Sequence, residues 1–435
     1  VSFDDAPIDP VSAERLVRGG LELRLVDHDD AAARDAWLHA DFRGFHESAP
    51  SPERLAEVRA HAPRRRITGV YDPAAPLPAE PVATAQSWVA PLTVPGGGTV
   101  PLWSIASVTV APTHRRRGVA RAMLEAELRT AAAEGVPLAG LTVSEATIYG
   151  RYGFGAATFA DVTEIETKRV RWSGPDASGR VRFVGPEQLL PDALRIVDAV
   201  RAFQPGAVRY DEVLLGRAIG LYGDDRAALR TVRYDDADGV PQGFACYRLT
   251  PTEGDFTKHT VTVQHLLGAT DEADAALWRF LLELDLVSTV RAFERPVDEP
   301  VNWWIGDLRA ARRRRLDRLW LRILDVPAVL EARRYAAATR LVLEVDDPDG
   351  FAAGRFLLEA GADGVGHVRS LGDEEASAEA SVALPVTELS AIYLGGVSPV
   401  TMARAGRITE GTPGAALALE RAFAAERTPW LVLEF

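Results

Sequence analysis

The sequence predicts a mixed α/β (α+β) protein of two or three domains. Three observations predict it. The chain has 435 residues, more than one ordinary hydrophobic core supports. Along it, runs that alternate like strands repeatedly give way to helical spacing. Residues 108–120, Val-Thr-Val-Ala-Pro-Thr-His-Arg-Arg-Arg-Gly-Val-Ala, set a β-branched run directly before a proline, three arginines, a glycine and a helix. A Rossmann domain fits less well, because no early Gly-x-Gly-x-x-Gly with an acidic ribose partner is present.

The elements follow in order. Residues 21–26, Leu-Glu-Leu-Arg-Leu-Val, alternate as a strand, and a helix is expected over 31–40, with another short one after Pro50 and Glu53. Residues 67–71 and 82–90 read as neighbouring strands separated by a proline-rich turn, and Pro95-Gly-Gly-Gly-Thr leads into the strand that ends at Val110. Pro112 interrupts that strand, while Gly118 and Ala120 keep the next helical turn small. Backbone N–H groups that a helix cannot pair are then open to an anion such as a pyrophosphate. Arg115, Arg116 and Arg117 add positive charge there, although three arginines before a helix also read as a solvated surface. The helix continues over 121–133, with Leu124 and Leu128 on one face.

A second region, about 160–312, holds a strand at 181–184, a helix near 187–202, and strands at 228–234, 243–249 and 259–266, without another arginine-rich glycine loop. The basic run 309–315 reads as a helix surface or a domain boundary. A third region follows with a strand at 319–323, a helix over 327–338 and strands at 339–345 and 354–359. The apolar ending Trp430-Leu-Val-Leu-Glu-Phe435 predicts an ordered final strand.

Composition narrows the function. Apolar residues make up 47% of the chain, yet no uninterrupted apolar segment spans a bilayer and no basic-then-apolar leader is seen, so a cytoplasmic protein without a membrane partner is expected. A net charge of -13 argues against a broad nucleic-acid surface and suits attraction of a polycation. The single cysteine, Cys246, offers no disulfide framework and reads as strand packing, and no His/Asp/Glu grouping has metal-ligand spacing.

Arg115-Arg-Arg-Gly118-Val-Ala120 resembles the acyl-CoA loop, Arg/Gln-x-x-Gly-x-Gly/Ala, of the GCN5-related N-acetyltransferases. Ser144-Glu-Ala-Thr-Ile-Tyr149-Gly-Arg151-Tyr-Gly-Phe-Gly155 follows at matching spacing, and Leu319-Trp-Leu-Arg-Ile-Leu-Asp-Val-Pro-Ala-Val-Leu-Glu-Ala-Arg-Arg-Tyr335 recurs downstream. Together these resemble the Eis (enhanced intracellular survival) acetyltransferases of actinobacteria, over essentially the whole chain. The resemblance implies tandem GCN5-related acetyltransferase-like domains at 1–159 and 160–312, followed by a sterol-carrier-protein-like domain at 313–435. It also implies acetyl-CoA as cosubstrate, no metal and a homohexamer. The sterol-carrier likeness concerns fold and does not imply sterol transport.

Acetyl transfer from a thioester to an amine needs a neutral nucleophile, an aligned thioester, stabilised oxyanion charge and a proton for the departing thiolate. The resemblance places the backbone of Val108 and Val110 beside the pantetheine arm, and Arg115, Arg116, Arg117, Gly118, Val119 and Ala120 around the pyrophosphate, with Arg115 the more open to the surface reading. Ser144 is expected to contact CoA. Tyr149 alone reads as a packed aromatic; its context makes it the general acid, since a phenol titrating near about 10 is protonated at neutral pH. The resemblance assigns the base to the terminal carboxylate of Phe435, with Glu434 orienting a cationic acceptor; a strand merely completing a sheet is the alternative.

Asp41, Phe42, Phe45, His46, Glu47, Trp88 and Trp103 are candidates for an amine pocket, either tryptophan serving equally as core. Gly44 stands where the aminoglycoside-modifying pattern has an acid between two aromatics. The expected acceptor is therefore a small cationic amine, aminoglycoside or polyamine, or a peptide lysine. A CoA-binding regulatory protein with a decayed catalytic end, and a lipid carrier built on the last region, are the competing functions.

Overall fold

The protein is described from a computed structural model over residues 3–223, 226–372 and 380–435. Residues 1–157, 319–424 and 435 form one compact unit, and residues 158–318 and 425–434 form another. The first unit carries β1 (Glu22–Leu25), β2 (Arg66–Tyr71), β3 (Ala83–Thr93), β4 (Thr99–Val110), β5 (Leu138–Thr142) and β6 (Gly155–Ala156). The second carries β7 (Phe159–Glu166), β8 (Arg180–Phe183), β9 (Arg230–Asp235), β10 (Pro241–Thr250), β11 (His259–Gly268), β12 (Val287–Arg295) and β13 (Ala311–Asp317). The chain then returns to the first unit with β14 (Leu319–Ile323), β15 (Thr339–Asp346), β16 (Gly354–Ala360), β17 (Gly366–Ser370), β18 (Ala380–Pro385) and β19 (Thr409–Glu410).

The first sheet runs β1-β2-β3-β4-β5-β14-β6. Its pairs are antiparallel except β4 with β5, which are parallel. Four helices precede or cross it: α1 (Pro10–Arg18), α2 (Ala31–Gly44), α3 (Pro52–His61) and α4 (Val119–Ala133). A parallel pair needs a long crossover, and α4 supplies it. The face of α4 predicted from Leu124 and Leu128 is buried, with Val119, Ala122 and Met123 alongside. α1 lies on α4 through the Ser12 hydroxyl, which donates to the Ala122 carbonyl at 2.6 Å, and through Arg129 on Asp9 at 2.8 Å.

A polar cluster sits inside this unit. Glu127, almost wholly buried, accepts from the Trp103 indole at 2.9 Å and from the Arg66 guanidinium at 2.7 Å. Arg66 spends its other donors on the carbonyls of Ala6 and Pro7, so each buried charge has its partners.

Three expectations are corrected. The strand 319–323 does not open a third sheet; β14 lies between β5 and β6, with Leu319 opposite Thr142 and Leu321 opposite Gly155. The third region's own sheet, β17-β16-β15-β18-β19, begins only at β15. The basic run 309–315 is not an α-helix surface: it leaves a short 3-10 turn, Leu308–Ala310, for β13, an edge strand in the sheet β13-β7-β12-β11-β10-β9-β8, where Arg315 bonds Asp161 at 3.0 Å and Arg312 reaches Glu166. Charge on an edge strand discourages pairing with another chain. The helix expected over 327–338 covers only Val326–Ala332, because Arg333 leaves it to bury its guanidinium against the carbonyls of Tyr393 and Phe423.

Two further features matter below. Arg322 on β14 is fully buried and donates to the Tyr152 carbonyl and to Asp347, both at 2.7 Å. Residues 430–433 are buried but join no strand, since the Trp430 N–H goes to the Pro205 carbonyl and the Leu433 N–H to the Tyr210 hydroxyl, so the expected final strand does not form. Cys246 is packed inside β10, where burial pushes its thiol up. No helix among the described residues is long and apolar enough to cross a membrane.

Removing one partner from a buried ion pair strands the other charge, so Glu127→Leu is expected to destabilise the first unit by about 3–5 kcal/mol. An exposed Glu283→Gln change should stay within about 0.5 kcal/mol, and guanidinium unfolding curves of the two variants check both figures.

Candidate active site

β4 and β5 pair only from Leu102↔Leu138 to Ser104↔Gly140, whereas β4 runs on to Val110. Beyond Ser104 the two strands part, and the main chain of β4 through Val108 and Val110 has no parallel partner on that side. An extended ligand with amide groups of its own can take that place. On the other side the register with β3 shifts between Thr84 and Gln86, and Ser107 takes the left-handed φ of 54°. The Thr84 hydroxyl bonds the Ser107 carbonyl at 2.9 Å and the Gln86 amide bonds the Ser107 hydroxyl at 3.0 Å, which fixes the bulge.

At the end of β4, Pro112–His114 form one 3-10 turn, then Arg116 (φ 64°) and Gly118 (φ 77°) turn left-handed before α4. Consecutive N–H groups in such a turn converge on an anion. No side chain caps α4 and no acid lies in its first turn, so the N–H groups at Val119 and Ala120 are available. The three arginines differ. Arg117 donates to the Gly19 carbonyl at 2.8 Å and lies 3.8 Å from Asp72, which also bonds His114 at 3.0 Å. Its guanidinium thus braces the loop, while all three arginines are exposed. His114 is a packing residue.

Ser144 is exposed in the loop after β5, and Tyr149 closes the short helix Ala146–Tyr149. Tyr149 is 7% exposed and shares one apolar cluster with Trp103, Ile105 and Phe154, against which Val108 packs. Its ring meets Phe154 edge-on at 6.2 Å, and its hydroxyl has no hydrogen-bond partner among the described residues. Burial, then the charge of Glu145, raises the phenol above its ordinary value and keeps it protonated. Val108 packs on the apolar cluster that holds Tyr149 and, with Val110, on the cluster that holds Val119 at the start of α4.

The amine-pocket candidates separate. α2 ends in a Schellman turn: Glu47 N–H bonds the Phe42 carbonyl, His46 N–H bonds that of Arg43, and His46 adopts φ 60°. His46 thus stops a helix, and Phe45 and Glu47 are exposed beside it, with Phe42 half-buried. Trp88 does not offer two free faces: Arg65 stacks 3.6 Å over its ring and Phe435 meets it edge-on at 5.3 Å. The Phe435 main-chain oxygen also accepts from the Thr142 hydroxyl at 3.3 Å. Trp103 is wholly buried, its indole donating to Glu127. Glu434, in the second unit, is half exposed and pairs with Arg318 at 2.7 Å, while Arg318 also holds Glu294 at 2.6 Å.

Asp41 emerges as the acid of this region. A Cβ on Gly44 would collide with the Thr109 side chain, so the close approach of α2 to β4 requires glycine there. One turn earlier on the same face, Asp41 carries a buried Oδ1 with no hydrogen-bond partner. Burial pushes its carboxyl up to about 7, the Ser107 and Thr84 hydroxyls acting against this and Glu47 with it. Its sequence signal was weak, because an acid on a helix is ordinarily solvated.

Among its described residues, the second unit contains no equivalent loop of arginines and glycine before a helix. The helix that follows β11, Asp271–Leu282, is capped by the Thr270 side chain and opens with Asp271, Glu272 and Asp274. Acids at that end repel a phosphate.

Residues 27–157 and 210–323 each match an acetyltransferase (GNAT) domain, and residues 326–432 match a sterol carrier protein domain. The N-acetyltransferase Eis of Mycobacterium tuberculosis is 33% identical over 397 residues, 88% of this chain and 93% of that protein. An uncharacterized N-acetyltransferase of Streptomyces coelicolor is 37% identical over 409 residues, 91% of this chain and 96% of its own length. The crystal structure of Eis1 from Mycobacterium abscessus superposes with a TM-score of 0.79 at 28% identity, covering 95% of this chain and all of that one. With 33% identity over 88% of its length to a named Eis protein and two GNAT domain matches, the chain belongs to the Eis family of GCN5-related N-acetyltransferases, enzymes that use acetyl-CoA.

Proposed function

We propose that the enzyme transfers acetyl directly from acetyl-CoA to a primary amine of a small cationic acceptor, aminoglycoside or polyamine, with peptide lysine as the further acceptor to test. The observation that supports this most is the β4 edge, free of a parallel partner beyond Ser104 and running into the uncapped start of α4, with Tyr149 in the apolar cluster on which Val108 packs. In the proposal the edge residues Val108 and Val110 align the pantetheine, Gly118, Val119 and Ala120 receive the pyrophosphate through their N–H groups, Arg115 and Arg116 add charge, and Ser144 contacts CoA.

Tyr149 gives its proton to the leaving CoA sulfur; its raised pKa keeps that proton available at neutral pH. The carboxyl group of Phe435 accepts the amine proton, its ring seated on Trp88. Asp41, Glu47 and Glu434 draw the cationic acceptor, while Phe42 and Phe45 supply apolar walls. The proposal includes a division of labour in which 1–159 binds acetyl-CoA, 160–312 lacks its own cofactor loop and 313–435 supplies the terminal carboxylate. It also includes a cytoplasmic homohexamer.

Purified protein with an untagged carboxyl end, offered acetyl-CoA with each acceptor class and read by product mass, tests the proposal. Tyr149→Phe should lower kcat by about 10²-fold, with acetyl-CoA binding retained. No product across the panel despite measured acetyl-CoA binding would remove it.

Asp41 adds a pH signature. With its carboxyl titrating at about 7 it is mostly neutral at pH 6 and ionised at pH 8, and the ionised form attracts cations. A bis-quaternary ammonium probe, whose own charge does not titrate, should bind about tenfold more tightly at the higher pH. Asp41→Asn should flatten that dependence, as isothermal calorimetry at the two pH values would show.

A further inference from the structure

The second unit repeats the fork of the first. β11 and β12 pair in parallel from His259↔Val287 to Val263↔Ala292, then separate while β11 continues to Gly268 and β12 to Arg295. β10 and β11 shift register alongside it, between Cys246 and Tyr247, as β3 and β4 do alongside the first fork. The last stretch of β12 is turned by Glu294 at φ 57°. Unlike the first fork, this one leads to a capped, acidic helix start that cannot hold a pyrophosphate.

The chain's own final residues occupy it. Trp430, Val432 and Leu433 line the same cavity as Leu267 on β11 and Phe293 on β12. The Trp430 indole donates to the Glu294 carbonyl at 2.7 Å, the group that the left-handed turn exposes, and the Arg295 guanidinium lies 5.4 Å from the Trp430 ring. The main chain of the tail is held at three points: the Gln204 amide donates to the Thr428 carbonyl at 2.8 Å, the Trp430 N–H to the Pro205 carbonyl at 2.8 Å, and the Leu433 N–H to the Tyr210 hydroxyl at 2.9 Å. Tyr210 in turn donates to the Leu433 carbonyl at 2.5 Å. All four side chains from 430 to 433 are buried.

We propose that the second acetyltransferase-like domain is a receptor for the chain's own tail: the fork that the first domain keeps open for a cofactor's arm is here filled by residues 430–433, which hold Glu434 and the Phe435 carboxyl for catalysis. The catalytic part of this rests on the function proposed above; the docking part does not. Trp430 and Tyr210 are positioning residues, acting on the amine through the residues that follow them. A fork without phosphate recognition suits an extended peptide better than a nucleotide-bearing ligand, and the tail matches it with four successive buried apolar side chains and main-chain hydrogen bonds.

The experiment separates the tail from its receptor. A chain ending at Thr428, with folding checked by circular dichroism and acetyl-CoA binding, is mixed with the synthetic heptapeptide Pro-Trp-Leu-Val-Leu-Glu-Phe. Saturable binding is expected, weakened about a hundredfold in the peptide with alanine for tryptophan. The free-acid peptide should restore acetyl transfer and its carboxamide should not. A folded truncated chain that binds neither peptide overturns the inference. Binding, with no acetyl transfer from either the mixture or the intact enzyme, leaves the docking standing and removes the proposed function instead. Should the truncated chain not fold, full-length Trp430→Ala decides: kcat lower by about tenfold or more, acetyl-CoA KM within about twofold, and faster amide exchange at 264–268 and 430–435 support the inference. Unchanged kcat and exchange overturn it.

Discussion

The early end of pairing between β4 and β5 is the constraint on which the candidate site depends. Six residues of β4 beyond Ser104 leave the parallel ladder, and main-chain groups left without a partner demand water or ligand. Keeping that edge open requires the strand to be fixed from its other side. Thr84 and Gln86 do this at Ser107, and Gly44 lets α2 press on Thr109. A left-handed serine costs on the order of 1–2 kcal/mol, which the surrounding hydrogen bonds offset. The same strand then delivers its chain into the left-handed turn at Arg116 and Gly118, so the slot and the anion loop are one continuous device.

Charge is distributed to match. The enzyme is strongly acidic overall, yet its α4 start is free of acids and carries exposed arginines, while the corresponding helix start of the second unit is acidic and capped. Two sheets of matching strand order thereby lead to helix starts of opposite electrostatic character. Arg117 illustrates the division within the loop itself: a cation spent on Asp72 and Gly19 keeps the backbone in place so that neighbouring cations face outward. His114, bonded to the same Asp72, belongs to that brace.

Much of this was legible from local sequence. The Val-rich strand, Pro112, the arginines, Gly118 and the Leu124/Leu128 face predict the β4–loop–α4 passage because each residue acts on its immediate neighbours. Tyr149 was found through its surrounding motif, since a lone tyrosine carries no signal of its own. What stayed hidden is non-local. Nothing in Leu-Trp-Leu-Arg-Ile says that β14 will insert beside β5, because any such apolar strand can pair with several edges. The run of arginines in β13 looked like a solvated helix, and its partners Asp161 and Glu166 lie about 150 residues away. The apolar tail reads as a strand by pattern, whereas side chains of Tyr210 and Gln204 take the hydrogen bonds that a sheet would have made. Asp41 was named but not weighted, since its importance comes from a buried oxygen rather than from spacing.

The insertion of β14 also sets a timetable for synthesis. β5 and β6 are complete by residue 156, but the strand between them begins only at residue 319, so 162 residues separate the gap from its filling. At a translation rate of roughly 5–20 residues per second, the nascent first sheet carries an open edge at Leu138–Thr142 for on the order of ten to thirty seconds. Arg322 arrives with the same strand and only then reaches the Tyr152 carbonyl, so the loop bearing Tyr149 gains that anchor late. The first domain, synthesised before the second, is thus completed only after it, its edge unpaired until β14 arrives.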